Sequence, residues 1–112
     1  ELSGGMQKRV GLARAICLNP DIILYDDPTA GLDPILSDSI ADLILDISEG
    51  SSVTSVVVTH DLKLVRKVAS EVALLYDGRI AFHGGVENYF SKEDPFARQF
   101  IEGETDGPID IY

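Results

Sequence analysis

Basic residues are scarce in this chain. Lys and Arg number 9 against 19 Asp and Glu, a formal net charge of −10 over 112 residues. That balance argues against nucleic acid as a partner, because phosphate backbones are held by Lys/Arg patches. Cysteine occurs once, at Cys17, so no intramolecular disulfide can form, and a lone thiol fits a reducing cytosol. No apolar run approaches the ~20 residues that span a bilayer. A membrane role would therefore have to come through another subunit. No GxxxxGK(S/T) loop occurs either, so the glycine-rich cradle for nucleotide phosphates is missing. The chain is 45% hydrophobic, enough for one ordinary globular unit.

What is present is organised around Asp21 to Asp33, DIILYDDPTAGLD. Ile22-Ile23-Leu24-Tyr25 is an apolar run without alternation, the pattern of a strand buried on both faces of a parallel sheet. Asp26, Asp27 and Pro28 end it, since proline cannot donate to a ladder. Two carboxylates at the C-terminal end of such a strand stand where open α/β sheets hold ligands. Adjacent like charges are costly to bury unless paired. A hydrated Mg²⁺ on a nucleotide phosphate is the usual partner, bound through one or two carboxylates. Two acids alone fit a solvated turn equally well.

The flanking segments read as alternating helices and strands. Gly5 to about Leu18 is helical, with Met6, Val10, Ala13 and Cys17 repeating at three and four residues and Leu12 and Ile16 widening the stripe. On that face Cys17 is expected to be a buried, inert thiol. Ser3 suits the N-cap, and Gly4 and Gly5 allow close backbone approach, so this helix N-terminus suits an anion. Asp33 and Pro34 open a second helix to about Ser48, with Ile35, Leu36, Ile40, Leu43, Ile44 and Ile47 inward. Val53 to Val58 is a second buried strand, and Thr59-His60-Asp61 follows at its C-terminal end. Asp61 caps a short helix from Leu62 to about Ser70, with Leu62, Val65, Val68 and Ala69 inward. Asp77-Gly78 between Glu71–Tyr76 and Arg79–His83 predicts a type I′ hairpin at the sheet's edge. Short helices are expected near Val86 to Phe90 and about Pro95 to Glu102, followed by an acidic tail from Gly103 to Tyr112.

Leu2-Ser3-Gly4-Gly5-Met6-Gln7, Asp26-Asp27, Ala30-Gly31-Leu32-Asp33 and His60, in this order and spacing, resemble the second half of an ABC-type ATPase. The resemblance implies an α/β fold, the C-terminal portion of a P-loop NTPase domain, with parallel strands flanked by helices and a terminal antiparallel hairpin. Residues 1–102 would be its signature-to-C-terminus part and 103–112 a tail. The chain opens in mid-motif on Glu1-Leu2-Ser3, so it is expected to be part of a longer ATPase and not to hydrolyse ATP by itself. Asp94 to Pro108, with DPFARQF and then DGP, resembles the C-terminus of ATPases of Mla/Mce-type lipid transporters. Met6 and Asp33-Pro34-Ile35 agree with that subfamily.

By this resemblance ATP would lie between the phosphate loop of one protomer and the signature helix of a second, in a homodimer. Ser3, Gly4, Gly5 and Gln7 would belong to the signature contact. Asp26 would hold Mg²⁺, Asp27 would be the general base and His60 would position the γ-phosphate and water. Asp33 would couple the two halves, and a transmembrane permease would hold the ATPase on the inner face of the membrane, with no nucleic acid involved. The family usually has Glu where Asp27 stands, and the arm is shorter by roughly 1.5 Å, one C–C bond. Either the backbone compensates or the site is slow. The alternatives are a non-transport ABC protein and a dimer clamp that binds ATP with little turnover. Ile109, Ile111 and Tyr112 lead to one further expectation, that the tail docks and stabilises the dimer.

Overall fold

The computed structural model describes residues 4–103. They form α1 (Gly4–Cys17), β1 (Ile22–Asp26), α2 (Pro34–Gly50), β2 (Thr54–Val58), α3 (Leu62–Val68), β3 (Glu71–Tyr76), β4 (Arg79–Gly85), α4 (Val86–Phe90) and α5 (Pro95–Glu102). Two compact units divide at Val68 and Ala69. Ser3 and the tail residues Ile109, Ile111 and Tyr112 lie outside the described residues.

In the first unit β1 and β2 are parallel, in register from Ile22 opposite Thr54 to Asp26 opposite Val58. A parallel pair needs a crossover, and α2 supplies it. Asp33 starts α2 by accepting a 2.9 Å hydrogen bond from the Leu36 amide, with Pro34 in the first turn. The helix buries Ile40, Ala41 and Ile44 against Leu12, Ile23, Tyr25 and Leu64. Full burial of each large aliphatic side chain contributes about 1.5–3 kcal/mol. Lys67 of α3 bridges Asp38 (2.8 Å) and Asp42 (2.5 Å) on the outer side of α2. The bonds to Asp38 and then Asp42 raise its pKa.

Several expectations are corrected here. β1 alternates in burial: Ile23 and Tyr25 are buried, whereas Ile22 is 61% and Leu24 74% exposed. Val56 and Val58 of β2 are exposed as well. The unbroken apolar run suits cover on both faces, and the described residues cover one. α1 turns a different side inward. Gly5 and Leu12 are buried, with Lys8 and Ala15 half-buried, while Met6, Val10, Ala13, Ile16 and Cys17 are exposed. Apolar residues surround this helix, so periodicity does not choose its inner face. Close approach does, because a Cβ on Gly5 would lie only 3.2 Å from Leu36 Cδ2. Cys17 is consequently an exposed thiol. Ile35, at 82% exposure, is not part of the α2 core, and α2 runs on to Gly50. In α3 the fully buried residue is Leu64, with Leu62, Val65 and Val68 only partly covered.

The Tyr25 phenol is buried without a well-formed hydrogen bond. Burial raises its pKa above 10.0, and the Ser55 hydroxyl offsets only part of that rise. A buried, poorly satisfied hydroxyl costs free energy that its removal recovers. Tyr25→Phe is therefore expected to leave stability unchanged or raise it by about 1 kcal/mol in urea unfolding. A loss of that size would mean that the hydroxyl is firmly bonded.

In the second unit β3 and β4 form an antiparallel hairpin. Asp77 (φ 52°) and Gly78 (φ 71°) both take the left-handed conformation that a type I′ turn requires. Among the described residues the hairpin is a two-stranded sheet of its own and not, as expected, the edge of the β1–β2 sheet. The register shifts between Leu74 and Leu75. Tyr89 is buried and packs edge-on to Phe90 at 5.1 Å and against Phe82 at 5.4 Å, a core role. Asp94 caps α5 through the Phe96 and Ala97 amides, and Gly103 ends it in the left-handed conformation.

Candidate functional site

The strands β1 and β2 end side by side, which places two short loops at one edge of the sheet. Beyond the last strand pair, Asp26 opposite Val58, the Asp27 amide donates to the Val58 carbonyl at 2.7 Å. Asp26, Asp27 and His60 therefore leave the sheet at its C-terminal edge, where α/β sheets hold ligands. Asp26 and His60 are exposed and Asp27 is half-buried. Asp27 has φ 49°, a left-handed conformation that Asp tolerates better than most residues. This turns the chain sharply, and its carbonyl accepts the Ala30 amide at 3.1 Å.

The loop after Asp27 is tied down further. Pro28 and Thr29 are buried. Thr29 Oγ1 donates to Asp61 Oδ2 at 2.9 Å. Asp61 Oδ1 accepts the Lys63 and Leu64 amides at 3.0 and 3.3 Å, the N-cap expected of it. The Asp61 amide in turn donates to Thr59 Oγ1 at 2.9 Å.

The first turn of α1 packs against the segment entering α2. A Cβ on Gly4 would stand 3.3 Å from Leu32 Cδ2. The two glycines thus serve helix packing on their inner side, beside any role toward a ligand. Lys8 reaches from α1 to the Asp27 carbonyl at 3.3 Å. An open cleft of about 580 Å³ runs between α1 and β1, with Gly4, Gln7, Asp26 and Gly31 on its walls. Its buried lining, Leu12, Ile23, Ile40 and Ile44, is apolar and suits packed side chains better than a polyphosphate. The candidate residues thus fall into two groups: Asp26, Asp27 and His60 at the sheet edge, and Gly4, Gly5 and Gln7 on α1. Asp33 stands at the start of α2 with one carboxylate oxygen used in capping.

The sequence model of the family "ABC transporter" matches residues 1–30. The intermembrane phospholipid transport system ATP-binding protein MlaF of Escherichia coli strain K12 is 43% identical over 97% of this chain and 40% of MlaF. The chain belongs to the ABC transporter ATP-binding proteins. The probable ribonucleotide transport ATP-binding protein mkl of Mycobacterium tuberculosis strain H37Rv is 40% identical over 97% of this chain and 30% of mkl. A dimeric ATP-binding cassette, MJ0796, in a post-hydrolysis state bound to ADP and Pi, superposes with a TM-score of 0.67. It is 40% identical, over 76% of this chain and 36% of that one. The chain spans 40% or less of the length of these three ABC proteins.

Two residues that bond across this region, Thr29 and Lys8, give no functional signal in the sequence. Thr29 interrupts no periodicity, and Lys8 reads as a solvated charge off the helix stripe. Only the fold brings Thr29 to Asp61 and Lys8 of α1 to the Asp27 carbonyl.

Proposed function

We propose that this chain contributes to the ATP-hydrolysing subunit of an ABC transporter that moves phospholipid or a related lipid through a transmembrane partner. The observation that carries the ATPase reading is the placement of Asp26-Asp27 and His60 on adjoining loops of one sheet edge. The lipid assignment is supported by the identity with MlaF.

Asp26 and Asp27 suit Mg²⁺, which binds through one or two carboxylates and takes its remaining ligands from water and nucleotide phosphates. Among the described residues no group of three or more His, Cys, Asp or Glu could hold a metal ion. Asp26 would hold the ion, whose charge would offset that of the phosphates. Asp27 accepts a proton from water as the water oxygen attacks the γ-phosphorus. The bond to the β–γ bridging oxygen breaks, and ADP and phosphate leave. His60 positions the γ-phosphate and the water. Ser3, Gly4, Gly5 and Gln7 of one protomer face ATP held by the phosphate loop of the other, with Asp33 coupling the two. The subunit works on the cytoplasmic face of the membrane, held there by its permease. No described helix is long and apolar enough to cross a membrane.

The test is reconstitution of the intact ATPase with its permease in phospholipid vesicles, following phosphate release and lipid movement together. Coupled release and movement are expected. Turnover coupled to ribonucleotide and not to lipid would overturn the substrate. Tight ATP binding with no turnover would favour a dimer clamp, a reading supported by the short arm of Asp27.

A further inference from the structure

Past the last strand pair, two hydrogen bonds join the loop after β1 to the end of β2 and to the loop that follows it. The Asp27 amide donates to the Val58 carbonyl at 2.7 Å, and Thr29 Oγ1 donates to Asp61 Oδ2 at 2.9 Å. On one side the pins fall at residues 27 and 29, on the other at 58 and 61. Asp27 is itself the first pinned residue, and Thr59-His60 is the stretch held between the pins. We infer that Thr29 and Asp61 are positioning residues that fix the Asp27 and His60 loops relative to each other.

The bond is well placed for that task. Thr29 is buried, so its hydroxyl has little freedom to find another partner. Asp61 is fixed independently, because its other oxygen caps α3 through two amides. A hydrogen bond between an ionised acceptor and a buried hydroxyl is stronger and more directional than a neutral one. Asp61 thus has one oxygen on the helix that follows His60 and the other on the turn that carries Asp27. Catalysis needs a base and a positioning group held to within a fraction of an ångström, and 1 Å of misplacement costs on the order of 10²-fold in rate.

This inference rests on the ATPase reading, and the experiment separates the two. In the intact ATPase, Thr29→Val keeps the side chain's shape and removes its hydroxyl, while Thr29→Ser keeps the hydroxyl. Asp61 is only half-buried, so water can take up its freed oxygen and the fold is expected to survive. Thr29→Val is expected to lower kcat by roughly 10- to 100-fold with KM for ATP nearly unchanged. Thr29→Ser should restore most of the rate. Parent kcat in Thr29→Val would overturn the inference and leave the ATPase reading standing. So would an equal loss in both variants, which would mark a packing role for the methyl group. Absence of turnover in the parent itself would remove the ATPase reading and this inference with it.

Discussion

Asp27→Asn in the intact protein is expected to abolish turnover, by about 10²-fold or more, while ATP still binds. Asn preserves the size and shape of the side chain and removes its ability to take a proton. Binding should survive because, in the proposed mechanism, the phosphates would be held elsewhere. Asp27→Glu tests the complementary point. The longer arm regains roughly 1.5 Å of reach toward the water, but the backbone at position 27 is left-handed, at φ 49°. Asp is enriched in that region and Glu is not, so part of the benefit is offset by backbone cost. The expected result is a rate equal to or above that of the parent. Phosphate release and equilibrium nucleotide binding, measured on the same preparations, check both variants. Asp27→Asn turning over at the parent rate would show that another residue is the base. By the proposed mechanism His60→Ala should also lose turnover, because the imidazole would position the γ-phosphate without receiving the proton.

The elements at the sheet edge were legible because their signals are local. An apolar run ending in Asp26-Asp27-Pro28, a β-branched run ending in Thr59-His60, and the Asp33-Pro34 cap each specify a short piece of backbone. The Asp77-Gly78 turn is legible for the same reason, since few residue pairs accept two left-handed conformations. What could not be read depends on neighbours. The inner face of α1 is chosen by contact between Gly5 and Leu36, residues 31 apart in the chain, and not by the Met6-Val10-Ala13-Cys17 repeat. The bare side of β1 depends on what else packs against Ile22 and Leu24. The bond from Thr29 to Asp61 spans 32 residues and involves types that are common in any turn. A pattern that names residue types at fixed spacing finds candidate reacting groups, and misses the long-range contacts between the segments that carry them.

The second large effect is expected from a residue that periodicity passed over. Leu64 is 1% exposed and belongs to the core formed with Ile40, Ala41 and Ile44. It sits in α3, which has seven residues and is too short to be helical by its own propensity. What keeps α3 formed is the Asp61 cap at its start and the burial of Leu64 one turn later. Leu64→Ala removes the second of these and leaves a cavity, at a cost of about 2–5 kcal/mol. Against the 5–15 kcal/mol that typically holds a domain folded, that is a large share. Ile35→Ala is the comparison. Ile35 is 82% exposed on α2, so its removal should change stability by no more than about 0.5 kcal/mol. Urea unfolding of the two variants checks the contrast. Hydrogen exchange adds a local reading, because the Val65 amide bonds to the Asp61 carbonyl at 3.1 Å and should lose protection as α3 loosens. His60 immediately precedes the Asp61 cap, so loosening α3 should also slow turnover in the intact ATPase. Parent stability and parent Val65 protection in Leu64→Ala would show that the cap alone holds the helix.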